Sequence, residues 1–199
     1  MTKERLKSPR VKLFVALDLP DGVRRGIAAW GRRELVDPAL RPVAPESLHI
    51  TLAFLGWRPE KQIPQLAEVV VASGAPAPSL RLEQPVRRPE RGRARLFALP
   101  VESPEAMVLQ ASLQDELVAA HLFEPERRPF WPHVTVARVR REERGSKRPA
   151  PVSRAPGALP EALLRPFGGV RITLYRSEIQ PQGAQYTPLA QVELPVGRQ

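Results

Sequence analysis

A pattern of histidine, aliphatic, threonine, aliphatic occurs twice in this sequence and narrows the folds it can adopt. It stands at Leu48–Leu52 (LHITL) and again at Pro132–Val136 (PHVTV). Successive side chains of a β-strand point to opposite faces, so each histidine shares a face with its threonine, and the aliphatic residues share the other. Each copy therefore predicts a strand that buries its aliphatic face and turns its polar face toward a cleft.

Two such strands facing each other about a pseudo-two-fold axis would bring together His49, Thr51, His133 and Thr135. Histidine has an ordinary pKa of about 6.5 and can act as base or acid near neutral pH. Threonine hydroxyls can donate hydrogen bonds to phosphoryl oxygens whose charge grows in the transition state. The four side chains therefore predict a pocket for one tetrahedral anion, with acid–base opening of a cyclic phosphodiester as its chemistry.

The rest of the chain mixes apolar strands with amphipathic helices and shows no strict strand–helix–strand repeat. This order favours an α+β fold with antiparallel sheet. His121 is expected near the end of a helix, without a catalytic role. The predicted strands cover residues 11–18, 48–55, 80–86, 94–101, 134–139, 169–179 and 186–194, and the predicted helices cover 20–33, 62–72, 104–122 and 160–164.

We expect a single domain over residues 1–199. Residues 1–10 are expected to form a flexible tail. The segment rich in proline and arginine at 140–156 is predicted to form a mobile loop.

The composition excludes several kinds of site. The chain has no cysteine, which rules out disulfides, iron–sulfur clusters and thiolate zinc sites. Its three histidines lack the HxH and HExxH spacings of metal hydrolases, and no GxGxxG or P-loop glycine pattern is present. We therefore expect neither a metal nor a cofactor.

The charge of the chain bears on its partners. A formal net charge of +10 attracts polyanions such as RNA. No stretch approaches the roughly 20 apolar residues of a membrane span, and the N-terminus lacks a secretory cleavage site, so the cytoplasm is expected. Basic residues cluster at 87–95 and 138–148, where they would either follow an RNA backbone or remain solvated loops. Among the aromatic residues, Phe54 and Trp131 are candidates for stacking a base.

The motif blocks also carry a resemblance to a known family. They are Leu13–Pro20, Pro45–Gly56, Phe130–Arg138 and the closing segment Ser177–Tyr186. With these blocks the chain resembles the two-histidine phosphoesterase superfamily over nearly its whole length. It is most similar to the bacterial and archaeal RNA 2′,3′-cyclic phosphodiesterases, formerly called 2′-5′ RNA ligases.

The resemblance implies a bilobal α+β fold, with two antiparallel sheets and flanking helices around a central cleft. It implies metal-independent hydrolysis of a terminal 2′,3′-cyclic phosphate to a 2′-phosphate, with 2′-5′ joining of RNA ends as a side activity. It makes His49 and His133 catalytic, and it assigns the phosphate to Thr51, Thr135 and Arg138. His133 would activate water and His49 would protonate the leaving O3′, although the residues alone leave this direction open.

One candidate raises a geometric question. Strict alternation places Arg138 on the strand face opposite His133, so a bulge or a strand end is needed to bring its charge to the phosphate.

Two alternatives to this function stay open at the level of sequence. The same histidine pair could act on 2′-5′ oligonucleotides or small cyclic nucleotides, since the rim of the pocket decides the substrate. A protein of another class, an RNA-binding protein without turnover, could use the histidines only to hold phosphate. In each case we expect a monomer.

Overall fold

The computed structural model describes residues 9–126, 128–180 and 183–195. Most of the predicted N-terminal tail, residues 1–8, lies outside the described residues. The strands are β1 (Arg10–Asp18), β2 (Leu40–Pro42), β3 (His49–Pro59), β4 (Ser79–Leu82), β5 (Val86–Arg88), β6 (Leu96–Glu102), β7 (His133–Val139), β8 (Phe167–Gly168), β9 (Arg171–Gln180) and β10 (Gly183–Glu193). The helices are α1 (Asp21–Glu34), α2 (Ile63–Ala72) and α3 (Pro104–Ala119), and short 3₁₀ turns lie at Pro45–Ser47, Glu60–Gln62 and Glu161–Leu164.

The strands form two antiparallel halves that join at one place. The strand order is β10-β9-β1-β3 in one half and β7-β6-β4-β8 in the other, with β2 added to β7 and β5 to β6. β3 and β7 are paired in register at Ile50 and Val134. The predicted α+β class with antiparallel sheet is confirmed, and the two sheets are continuous through this contact.

The strand β1 separates the core from the cleft. Leu13, Val15 and Leu17 are fully buried in the hydrophobic core on one face. Phe14 and Asp18, which alternate with them, are also buried but contact aromatic and polar side chains near His49. One face of β1 therefore packs in the core, and the other carries Phe14 and Asp18, which lie next to His49 and its neighbours.

The helices cover the core face of the sheet. α2 packs against β10 and β9 through Leu66 and Val70, and α3 packs against α2 and β3. The start of α3 is fixed by Ser103, whose hydroxyl accepts a hydrogen bond from the Ala106 amide at 2.9 Å, and by Pro104 in the first turn. Another side of α3 borders the cleft.

Several predicted boundaries differ from those observed. The predicted strand 48–55 continues beyond Gly56, whose φ of +70° accommodates a bulge in β3, where Leu55 is an extra residue opposite β1. The predicted strand 80–86 is two strands, because Pro85 has no amide hydrogen to donate to a sheet. The helix predicted to reach residue 122 ends at Ala119, and His121 follows with a φ of 56°, which terminates the helix.

The segment predicted as a mobile loop, 140–156, contains no helix and no named strand. An isolated bridge joins Arg141 to Pro149, and the amides of Ser153 and Arg154 donate to Asp37 at 2.8 Å. Its mobility stays a prediction. No helix of the described residues is long and apolar enough to cross a membrane.

Candidate active site

The fold brings the two histidine motifs face to face. His49 is the first residue of β3, and His133 is the first residue of β7. Because the strands are antiparallel and paired at Ile50 and Val134, Thr51 lies across from His133, and Thr135 lies across from His49. Ile50 and Val134 are fully buried, whereas the histidines and threonines are half-buried on the other face. The structure thus brings together all four residues of the predicted pocket.

Both imidazoles are oriented by the same local contact. Nδ1 of His49 lies 2.8 Å from the Ser47 carbonyl oxygen, and Nδ1 of His133 lies 2.7 Å from that of Trp131. A carbonyl oxygen only accepts, so Nδ1 carries the proton in each ring. In the neutral tautomer this leaves the lone pair on Nε2, the nitrogen available to a substrate or water.

His49 sits in an aromatic environment. Its ring stacks on Phe14, with centroids 4.9 Å apart, and meets the edge of Tyr186 at 5.4 Å. Burial lowers the pKa of His49 to about 4, and the charges of His133 and Arg138 act in the same direction, although the hydrogen bond to Ser47 opposes them. His49 is therefore neutral at pH 7 in the free protein.

His133 has a different neighbourhood. It stacks on Trp131 with ring centroids 4.0 Å apart, and the Arg88 guanidinium lies 4.3 Å from the centroid of the same indole. Burial lowers the pKa of His133, with smaller contributions from the charges of Arg88 and Arg138, against the hydrogen bond to Trp131. Two cations near one imidazole make a site that favours an anion.

The threonines complete the polar face. The Thr51 hydroxyl lies 3.1 Å from Nε2 of His49 and donates to it in the neutral tautomer. Thr135 occupies the equivalent position in β7 and is half-buried. Each histidine thus has a hydroxyl two residues later on its own strand and another across the strand pair.

A β-bulge in β7 brings Arg138 to the same strand face as His133. In β7, Thr135 pairs with Ala98 and Ala137 pairs with Phe97, so Val136 is an extra residue. The bulge shifts the alternation by one, so Val136 and Ala137 are both buried and Arg138 is exposed. Arg138 is close enough to both imidazoles for its charge to lower the pKa of each.

The same bulge occurs in β3. Thr51 pairs with Ala16 and Ala53 with Val15, which leaves Leu52 as the extra residue. Phe54 then occupies the position that corresponds to Arg138 in β7, so the pseudo-two-fold relationship extends beyond the histidines and threonines. Phe54 is 46% exposed.

The candidate aromatic residues border one cavity beside the histidines. Its volume is about 350 Å³. Thr51 and His133 line one end, Phe54 and Trp131 line the sides, and Gln110 and Gln114 of α3 face them, together with residues of the 123–130 segment. Phe54 presents an exposed ring near the Lys12 ammonium, whereas Trp131 already contacts both His133 and Arg88.

A second cavity lies close to His49. It measures about 550 Å³ and is lined by Ser47, Tyr175 and Tyr186 as well as by Gln180 and Gln185. Ser47 orients His49 and Tyr186 contacts its ring, so this cavity adjoins His49 through residues that touch it.

Comparison with known proteins identifies the family. Residues 19–156 match the 2′-5′ RNA ligase superfamily. An RNA 2′,3′-cyclic phosphodiesterase of Thermus thermophilus is 32% identical, over 92% of this chain and 90% of the relative. The chain belongs to the 2′-5′ RNA ligase superfamily.

Other members of the superfamily agree with this assignment. The Escherichia coli RNA 2′,3′-cyclic phosphodiesterase is 28% identical over 89% of this chain and 93% of the relative. The crystal structure of a Thermus thermophilus protein superposes with a TM-score of 0.75 at 30% identity, over 94% of this chain and all of that one. Escherichia coli LigT complexed with 3′-AMP superposes with a TM-score of 0.72 at 25% identity, over 94% and 99% of the two chains.

The structure adds two features of this superfamily member that the sequence reasoning did not assign. The first is Arg88, which the sequence placed only in a basic cluster. The second is Asp18, which is 4% exposed and accepts hydrogen bonds from Thr173 at 2.8 Å and Tyr175 at 3.0 Å. Burial raises the pKa of Asp18 and raises that of Tyr175 to about 12, with Asp18 adding to the second shift. A carboxylate inside an apolar strand was the available signal for Asp18.

The two basic segments are packed together. Arg93 donates to the Pro149 carbonyl at 2.8 Å and forms an ion pair with Glu142 at 2.9 Å. The 87–95 hairpin and the 140–150 segment thus form one basic surface that adjoins β7 through β6. Among the described residues, no group of three histidine or carboxylate side chains could hold a metal ion.

Proposed function

We propose that this protein hydrolyses the 2′,3′-cyclic phosphate at an RNA end to a 2′-phosphate, using His49 and His133 without a metal. The observation that carries the proposal is the matched orientation of the two imidazoles. Each Nδ1 is held by the carbonyl two residues before it, which leaves each Nε2 for chemistry in one cleft. The activity named for the curated relatives supports the same conclusion.

In this proposal the phosphate lies between the two strands. Once His49 is protonated, Nε2 no longer accepts from Thr51, and the hydroxyls of Thr51 and Thr135 donate hydrogen bonds to the non-bridging oxygens. Arg138 contributes positive charge on the same face. Such donors stabilise the transition state because the phosphorane gains charge as water attacks. Arg88 lies close to His133 and adds to the positive potential that draws the anion into the cleft.

Two proton transfers accompany the reaction. The Nε2 of His133 takes a proton from water as its oxygen bonds to phosphorus. His49 gives a proton to O3′ as the O3′–phosphorus bond breaks, which leaves the phosphate on O2′. A negative phosphate beside His49 favours its imidazolium, so we propose that His49 gains this proton when substrate binds, despite a pKa of about 4 in the free protein.

The same arrangement would also support 2′-5′ joining of RNA ends as a side activity. A 5′-hydroxyl of a second RNA end can take the place of water in the same site, since the base and acid roles are unchanged. The two cavities near the histidines would accommodate the two ends. Attack on the cyclic phosphate with loss of O3′ then yields a 2′-5′ linkage.

The proposed partners are RNA ends or cyclic nucleotides, and the proposed location is the cytoplasm. The packed basic surface of the 87–95 hairpin and the 140–150 segment would follow the RNA backbone toward the cleft. Phe54 would stack a base, since its ring is the more exposed of the two candidates. A monomer suffices, because every group in the proposed site comes from one chain.

The proposal is tested with an oligoribonucleotide that ends in a 2′,3′-cyclic phosphate, incubated in excess EDTA. We expect a product with a 2′-phosphate, identified by chromatography against 2′- and 3′-phosphorylated standards. A 3′-phosphate product, or activity that disappears with EDTA and returns with a divalent metal, would contradict the proposed reaction. Tight RNA binding with no turnover would favour the RNA-binding alternative.

A further inference from the structure

The cavity beside the histidines contains a pair of amide side chains that the proposed chemistry does not use. Gln110 and Gln114 lie one turn apart on α3, and both are half-buried facing the cavity. Thr51 and His133 line the same cavity. Its volume of about 350 Å³ lies within the range of roughly 300–1,000 Å³ for small-molecule sites. The amides therefore line the same cavity as one of the proposed phosphate-binding residues, Thr51, and one of the proposed catalytic residues, His133.

The two amides are fixed in relation to each other. Nε2 of Gln110 donates to Oε1 of Gln114 at 2.7 Å and has a longer contact of 3.4 Å with the Leu52 carbonyl. Leu52 is the bulge residue of β3, so this contact connects the amide pair to the strand that carries His49. Both hydrogens of the Gln110 amide are thereby engaged, which fixes the direction in which its carbonyl oxygen points.

The remaining atoms form a complementary set. Oε1 of Gln110 is an acceptor, and Nε2 of Gln114 carries two donor hydrogens, and none of these has a hydrogen-bond partner among the described residues. These are the outer atoms of the amide pair, on either side of the hydrogen bond between Gln110 and Gln114, so the pair offers one acceptor and one donor group. The Watson–Crick edge of a nucleobase also carries both kinds of group. Glutamine amides are known to read base edges by hydrogen bonding, as in the bidentate contact of one amide with N6 and N7 of adenine.

We propose that Gln110 and Gln114 bind the Watson–Crick edge of the terminal nucleobase, the one whose ribose carries the cyclic phosphate. The base stacks on Phe54, and its ribose extends toward Thr51 and His133. This inference rests on the proposed function and adds a specificity site to it. An unpaired base at an RNA end exposes this edge, whereas a base-paired end hides it, so the site selects single-stranded ends.

The test compares two oligoribonucleotides, one with a normal terminal base and one abasic at the nucleotide that carries the cyclic phosphate. Gln114→Met and Gln110→Met remove the amide while keeping a similar side-chain shape. Gln65→Met, on the exposed side of α2, is the matched control. We expect each amide variant to raise KM about tenfold for the base-bearing substrate, and to leave the abasic substrate unchanged. Gln65→Met should change neither, and thermal unfolding should show that all variants are folded.

Other outcomes separate this inference from the function on which it rests. Equal losses on both substrates, or no loss on either, would overturn recognition of the base by the amides. Failure of the wild-type protein to hydrolyse either substrate would overturn the proposed function, and the inference with it.

Discussion

Ile50 and Val134 are the one pair of residues that joins β3 to β7 in register within the described chain. Adjacent strands elsewhere in the two halves share up to ten registered pairs, as in β9 and β10. With a single pair, β3 and β7 diverge from this point while His49 and His133 stay next to it. The junction therefore both closes the core beneath the site and opens the cleft above it.

The low pKa of His49 makes a prediction about stability. The unfolded chain has the ordinary histidine pKa of about 6.5, so between pH 6.5 and 4 the unfolded state binds more protons than the folded state. The stability that the fold gains from keeping His49 neutral is fully present above pH 6.5 and is lost as the pH falls toward 4. A pKa lowering of this size corresponds to about 3 kcal/mol in the free energy of unfolding.

This prediction is measured by urea unfolding of wild type and His49→Gln at pH 7 and at pH 4. Wild type should lose more stability on acidification than the variant, by up to about 3 kcal/mol. His121→Gln, at an exposed position, is the control and should follow wild type. Identical losses in wild type and His49→Gln would show that His49 is not held neutral by the fold.

The direction of proton transfer can be tested by changing the leaving group. In a substrate whose bridging O3′ is replaced by sulfur, the thiolate leaves without a proton, so the general acid becomes unnecessary. We expect His49→Ala to approach the wild-type rate on this substrate, and His133→Ala to remain impaired. The opposite pattern, followed in single-turnover assays, would reverse the two roles.

The bulge at Val136 predicts that Arg138 acts on the phosphate. Arg138→Ala should lower kcat by roughly 10²- to 10³-fold, the effect of removing one donor to a developing oxyanion. Arg138→Lys should recover part of the loss, because it keeps the charge without the planar guanidinium. Arg33→Ala, an exposed arginine on α1, is the control. A similar small effect of both alanine variants would place Arg138 outside the reaction.

The hydrogen bond from Tyr175 to Asp18 is predicted to stabilise the fold around the aromatic cluster that contains His49. Tyr175→Phe keeps the ring and removes one donor from a buried carboxylate, so it should destabilise the fold by about 1–3 kcal/mol. Tyr186→Phe is the matched control in the same aromatic cluster, and its hydroxyl has no hydrogen-bond partner among the described residues. Urea unfolding at pH 7 measures both, and equal stabilities would show that the Asp18 contact adds nothing.

The parts of the site that depend on local pattern could be predicted from the sequence. His49 and Thr51 share a face because strand alternation has a period of two, and the same holds for His133 and Thr135. The antiparallel sheet and the α+β class follow from the order of the elements. The shared faces are encoded within a few consecutive residues, and the fold class is encoded in the order of the elements along the chain.

The remaining parts depend on partners that are distant in sequence. The bulge at Val136 exists because of how β7 pairs with β6, and no residue in the strand specifies it. Arg88 reaches Trp131 because the β5–β6 hairpin folds next to β7. Tyr175 meets Asp18 across a strand pair that joins opposite ends of the chain. Contacts of this kind are determined by tertiary packing, which the local pattern does not report.

The central claim is that His49 and His133 act as one catalytic unit on a cyclic phosphate. The most direct measurement compares single-turnover hydrolysis by wild type, His49→Ala, His133→Ala and the double variant, in EDTA. Residues that act as a unit are strongly non-additive, so each single variant should lose nearly all of the rate, and the double variant should be little slower than either. A single variant that retains a rate near wild type, with the 2′-phosphate still formed, would contradict the account.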